Sequence, residues 1–264
     1  MTEEMKVAVF QPYLDKFETD EMRLYCADMI KLIPDYIFTM PSSTSGKYHN
    51  ATQCQLHGQI YHILMFAEIL NYLLALKYNQ EKFKSPVQRD AMRCAPIFHD
   101  SWKCGEGKSF YTVHDHPMIA GQWVRETIVE HDIDQKIKEV IARMCERHSG
   151  EWTSSKKSKV VLPEPENDME ALIHMCDILS SRNNIDMTVP EYLKDIFVDE
   201  ESNEEFDPET TFTFGKYKGR KMIEVYEKHP DYIEWMEGNI SKRDVLNSIK
   251  AMKKYVEQDA DMGF

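Results

Sequence analysis

Before about residue 205, apolar positions recur with helical rather than strand spacing. Asp20 to Ile33 reads as an amphipathic helix stopped near Pro34. Gln55 to Tyr78 is apolar almost all round, which predicts a buried central helix. Gln88 to Phe98 predicts a helix that runs into His99-Asp100, and Pro117 to Glu130 opens with a proline, which first helical turns tolerate. Ile133 to Arg147 places Ile137, Val140, Ile141 and Met144 on one face. Asp168 to Arg182 does the same with Met169, Leu172, Ile173, Cys176 and Leu179. Polar connectors over Pro41 to Lys47, Lys103 to Phe110 and Ser149 to Asn167 separate these segments.

The pattern breaks at Asp199 to Glu209, where seven of eleven residues are acidic. Such a run predicts a solvated linker. Beyond it, Thr210 to Tyr217 followed by Lys218-Gly219 reads as a strand ending in a glycine turn. Short helices follow around Met222 to Lys228 and Tyr232 to Glu237, then a charged helix from Lys242 to Gln258. The expected layout is a main domain over 1–198, a linker over 199–209 and a small module over 210–264. The expected fold class is mainly α, a helical bundle with a small α+β C-terminal module.

At 264 residues, with 42% hydrophobic and 29% charged, the chain suits one medium domain plus a small one. The longest apolar stretch, Ile60 to Leu76, is interrupted by His62, Glu68 and Asn71, and an acidic N-terminus replaces the basic start of a signal peptide. The expectation is a cytoplasmic protein, host cytoplasm included, with no membrane partner. Six scattered cysteines without a CxxC pair fit reduced thiols, and Cys176 beside Asp177 reads as a small core residue. A net charge of −13 suits a small anionic substrate near bound cations better than a long nucleic acid.

Imidazole and carboxylate together suit divalent metals of the Mn, Fe, Co and Zn group. His62 and Asp177 each lie within an apolar helical pattern, where a bare polar group is costly to bury. The adjacent His99-Asp100 can supply two ligands from one helix end. One shared cation would account for all four.

The segments SGKYHNATQCQLHGQIYHILMFAEIL, APIFHDSWKCG, HDHPMIAGQWV, ARMCERHSGEW and HMCDILSSR, in that order, resemble the HD-domain metal-dependent phosphohydrolase superfamily, in particular the HD proteins of bacteriophage genomes. The resemblance covers roughly residues 30 to 185. It implies an HD-type bundle, with His62, His99, Asp100 and Asp177 as a first metal site. His57 competes with His62 for the first position, and the chain has His57 or Gln59 where the family usually carries a second glycine. His116 and His148 match the third and fourth histidine motifs, with His114 an alternative to His116. In bimetallic members the two would hold a second metal bridged by Asp100. The implied cofactor is one or two divalent ions of Mn, Mg, Fe, Co or Ni.

Asp100, Lys103 and His116 are the expected catalytic residues: a metal-activated water attacks phosphorus, Lys103 offsets developing charge, and Lys103 or His116 protonates the leaving oxygen. Lys47, Tyr48, Lys103, His148, Trp152 and Arg182 are the expected substrate contacts. The expected partner is a nucleotide or another small phosphate compound, and association into a homo-oligomer is left open. A nuclease acting on short or single-stranded ends, a cyclic nucleotide phosphodiesterase and a non-enzymatic nucleotide-binding regulator are the alternatives. The run FTFGKYKGRKMIEVYEKHPDYIEWM resembles the small C-terminal module of exonuclease X-type proteins. Its Lys216, Lys218, Arg220 and Lys221, set around Tyr217, read as a hairpin able to contact nucleic acid.

Overall fold

The computed structural model describes residues 1–42, 58–105, 109, 112–182, 206–239 and 243–261. The chain is mainly helical. It divides into two compact units, Met1–Ile196 and Phe197–Phe264.

In the first unit, α1 spans Glu3–Leu14, α2 Asp20–Lys31 and α3 Gly58–Ala75. A short α4 covers Lys77–Lys82, α5 Pro86–Phe98, α6 His116–Glu126, α7 Gln135–Glu146 and α8 Asp168–Ser180. Caps fix several of these starts. Thr2 Oγ1 accepts from Met5 N at 3.2 Å ahead of α1, and Asp134 accepts from Lys136 N at 2.7 Å ahead of α7. Asn167 accepts from Met169 N and Glu170 N at 3.0 and 3.1 Å ahead of α8. Pro86 opens α5 where the missing N–H costs nothing.

The central helix is α3, buried on nearly all sides from Gly58 to Ala67 and packed against α5 and α8. The pattern over Gln55 to Tyr78 anticipates α3, but the run breaks at Leu76, an extended residue that precedes α4. α7 packs against α5, α6 and α8, so α3, α5, α7 and α8 surround one interior. Phe66, Phe98, Ile63, Ile141 and Ile173 fill it at 0% exposure, each worth about 2 kcal/mol in burial. The buried Asp90 on α5 is satisfied by Thr19 N, Thr19 Oγ1 and Arg93 at 2.9, 2.8 and 2.7 Å, which ties the α1–α2 turn to α5. No helix among the described residues is long and apolar enough to cross a membrane.

In the second unit, α9 spans Met222–Lys228, α10 Pro230–Asn239 and α11 Arg243–Asp261. Phe212, Met222, Val225, Ile233, Met236, Ile249 and Met252 form its core. The expected strand over Thr210 to Tyr217 reduces to one antiparallel bridge, Thr211 to Lys221. Phe212 N donates to Arg220 O and Met222 N to Thr210 O, both at 2.9 Å. The intervening residues turn back at once, so no ladder extends among the described residues. Among the described residues this module is helical with a pinned turn, and the α+β expectation for it is not confirmed.

Candidate metal centre

α3, the end of α5, the start of α6, the turn after α7 and α8 each send polar side chains into the interior of the first unit. His62 lies on α3, and its Nε2 is 3.0 Å from Asp177 Oδ1 on α8. α5 ends at Phe98, so His99 is its C-cap and Asp100 lies one residue beyond, where the chain leaves helical register. His99 Nε2 is 3.4 Å from Asp100 Oδ2 and 3.6 Å from Asp177 Oδ1. On the other side of Asp100, His116 Nε2 lies 2.9 Å and His148 Nε2 3.9 Å from Oδ1. Two sets of donor atoms, from His62, His99 and Asp100 and from Asp100, His116 and His148, each lie within 4.8 Å of one another. Asp100 belongs to both.

The outer nitrogens fix the state of the rings. His99 Nδ1 faces Pro96 O at 2.8 Å, His116 Nδ1 faces Val113 O at 2.6 Å, and His148 Nδ1 faces Cys145 O at 2.7 Å. A carbonyl only accepts, so each Nδ1 carries a proton, and in the neutral ring the Nε2 lone pair faces inward. Ser180 Oγ donates to Asp177 O at 2.8 Å, which leaves it to accept from His62 Nδ1 at 3.2 Å. His99, His116 and His148 therefore share one tautomer and face two carboxylates, while His62 Nε2 lies within hydrogen-bond distance of Asp177 Oδ1.

Lone pairs facing carboxylate oxygens across 3–4 Å repel unless a cation lies between them or a ring is charged. His99 Nε2 and His116 Nε2 are buried and have no hydrogen-bond partner among the described residues, the 2.9 Å approach of His116 to Asp100 lying off the line of a hydrogen bond. Asp90 provides the contrast, since protein donors satisfy it. These buried groups could hold a metal ion, and the donor set of imidazole and carboxylate fits a divalent one.

Lys103 supplies part of the missing positive charge. Its buried Nζ donates to Asp100 Oδ2 at 2.7 Å and to Gln59 Oε1 at 2.8 Å, while Gln59 Nε2 donates to Asp100 Oδ2 at 2.9 Å. Burial opposes ionisation of Asp100, but the Lys103 ammonium and the imidazoles outweigh it and hold the carboxyl well below its usual range. Asp177 is lowered too, because the His62 contact outweighs its burial. Burial would depress His99, but the charges of Asp100 and Asp177 raise it. Burial, and then the neighbouring His99, pushes His148 down to about 3, so it is a neutral donor.

His62, His99, Asp100, Asp177, His116, His148 and Lys103 thus lie together. His114 lies apart, its Nε2 3.3 Å from Thr153 O. Trp152 is 54% exposed, with its ring edge-on to His174 at 5.9 Å. Arg182 is half-buried, and its charge acts on Glu151. Lys47, Tyr48 and His57 lie outside the described residues. Sequence reasoning did not count Gln59 and Ser180 among the site residues. A glutamine inside a fully buried apolar helix was the available signal for the first, while nothing marked Ser180 until α3 and α8 packed. His174 was also missed: its Nδ1 contacts His148 O at 2.6 Å and so supports the turn after His148.

The first unit is therefore a helical bundle with a buried imidazole–carboxylate cluster able to take a metal ion. In the second unit, residues 212–241 match the family described as exodeoxyribonuclease X-like C-terminal. No curated protein and no solved structure gives a significant match to the chain.

Proposed function

We propose that the first unit is a divalent-metal-dependent phosphohydrolase of the HD type, acting on phosphate ester or anhydride bonds of nucleotides. The supporting observation is the shared tautomer: the Nε2 lone pairs of His99, His116 and His148 turned toward two buried carboxylates. His62, His99, Asp100 and Asp177 would hold one ion, and Asp100, His116 and His148 a second. The ion or ions would supply Lewis acidity and activate a water for attack on phosphorus. Lys103, held by Gln59 and Asp100, brings a cation to the edge of the cluster, where it would offset charge on the phosphoryl oxygens. The Lys103 ammonium is also the group that would pass a proton to the leaving oxygen.

The match over residues 212–241 favours a second reading, a metal-dependent nuclease acting on short or single-stranded ends. A panel of nucleoside mono- and triphosphates, cyclic dinucleotides and labelled oligonucleotides, assayed with Mn²⁺ or Mg²⁺, tests both. Phosphate release with intact oligonucleotides is the expected result. Oligonucleotide shortening would shift the assignment to the nuclease. Full activity in Asp100→Ala would rule out this centre.

A further inference from the structure

The second unit has a surface that its core does not use. The turn between Phe212 and Arg220 is pinned at its base, with Gly219 N donating to Phe212 O at 2.7 Å. Gly215 and Gly219 hold φ of 78° and 80°, a region that residues with a Cβ rarely adopt. A Cβ on Gly215 would lie 2.5 Å from the Tyr232 hydroxyl, which also accepts from Lys216 N at 3.3 Å. α10 therefore carries the ring that supports the turn.

A ladder of rings runs along this face. Tyr217 stacks on His229 at 4.9 Å and 21°, and meets Tyr232 edge-on at 4.8 Å. Tyr232 stacks on Trp235 at 5.8 Å and 21°. His229 and Trp235 are exposed, Trp235 by 53%. Lys216, Lys218 and Arg220 are exposed around the same turn. Lys216 Nζ lies 5.0 Å over the Tyr217 ring, and neither Lys218 nor Arg220 makes an ion pair with a described carboxylate. Lys221 differs, since it pairs with Glu209 at 2.5 Å beside the bridge.

Three exposed cations that form no ion pair with a described carboxylate, beside exposed rings, are complementary to a strand with a charged backbone and unpaired bases. On a chain of net charge −13, most of the remaining surface would repel such a strand. We propose that this face binds single-stranded nucleic acid, with Lys216, Lys218 and Arg220 on the phosphates and Trp235 and His229 under the bases. A duplex hides its base faces, so it can use the cations alone. Asp231 and Glu234 are exposed on the same helix and would oppose the phosphates, so an affinity of about micromolar is expected. The proposal does not rest on the chemistry assigned to the imidazole cluster.

The test is fluorescence anisotropy of the full chain with a labelled oligothymidylate of about 15 nucleotides, near the footprint of a small stacking surface. Saturable micromolar binding at about 50 mM salt is expected, with log affinity falling against log salt at a slope of about −2 for three phosphate contacts. K218E/R220E should weaken binding at least about 10-fold. W235A should weaken it about 5-fold or more, and W235F should recover most of the loss. Circular dichroism melts of the second-unit variants should stay close to the parent, and Asp100→Ala should bind as the parent does. No saturable binding by the parent would overturn the proposal. Equal binding by K218E/R220E and W235A, or a duplex of the same length bound as tightly as the single strand, would do the same.

Discussion

Lys103 offers the sharpest test of how the centre is balanced. It is the only Lys or Arg side chain within 4 Å of Asp100 or Asp177 among the described residues. Lys103→Met keeps the aliphatic stem and removes the charge. At 2.7 Å, the pair with Asp100 is worth about 6 kcal/mol gross at an effective dielectric constant of about 20. Desolvation of the ammonium offsets part of that, and stranding one partner of a buried pair costs about 3–5 kcal/mol. Gln59 Nε2 still donates to Asp100 Oδ2 in the variant, which places the expected loss near the lower figure, about 3 kcal/mol.

In EDTA that loss should lower the melting temperature by about 6–12 °C for a unit of this size. A bound divalent ion restores positive charge beside Asp100, so with saturating Mn²⁺ the same substitution should cost only about 1 kcal/mol. Reciprocity turns the difference of about 2 kcal/mol into roughly 30-fold tighter ion binding by Lys103→Met than by the parent. Urea melts with and without Mn²⁺, and titration calorimetry of the ion, measure both sides of the cycle. An equal loss in the two conditions, with unchanged ion affinity, would show that Asp100 does not face the ion.

Glu18 is held at about 2, chiefly by its hydrogen bond to Arg89 and then by Arg93. A depressed carboxyl adds stability above its unfolded pKa and loses it as pH falls through the folded one. Glu18→Gln should therefore cost about 1–2 kcal/mol near pH 6, discounted for partial exposure, and a shrinking amount as pH falls through about 2, read from urea midpoints. Gly150 holds φ of 57°, and a Cβ there would lie 2.0 Å from His174 Cε1. Gly150→Ala should cost about 2–3 kcal/mol in a thermal melt and weaken ion binding by moving the turn after His148. An unperturbed melt would show that the turn relaxes freely. His148→Ala should reduce the ion count from two to one by elemental analysis of the purified chain. An unchanged count would place the second ion elsewhere.

Periodicity alone located most helices of the first unit to within a few residues, because burying one face of a helix imposes that spacing on the sequence. α1 escaped notice. Its buried face includes Lys6, whose ammonium reaches Ile33 O at 2.7 Å and Lys31 O at 3.2 Å, and Pro12 interrupts its final turn. A cation that satisfies distant carbonyls looks like a surface residue until the partner chain segment is in place. The run from Thr210 to Tyr217 looked like a strand because its residue types suit one, but strands need neighbours and a single bridge forms among the described residues.

The residue types of the imidazole–carboxylate cluster were legible in one dimension, as polar groups set into apolar helical patterns. Their convergence was decided by the packing of α3 against α5 and α8, which brings His62 and His99 within 3.6 Å of Asp177. The inward lone pairs were equally beyond reach of the sequence. Each ring's proton is held by a backbone carbonyl or by Ser180, and which acceptor lies beside a given nitrogen is a property of folded geometry.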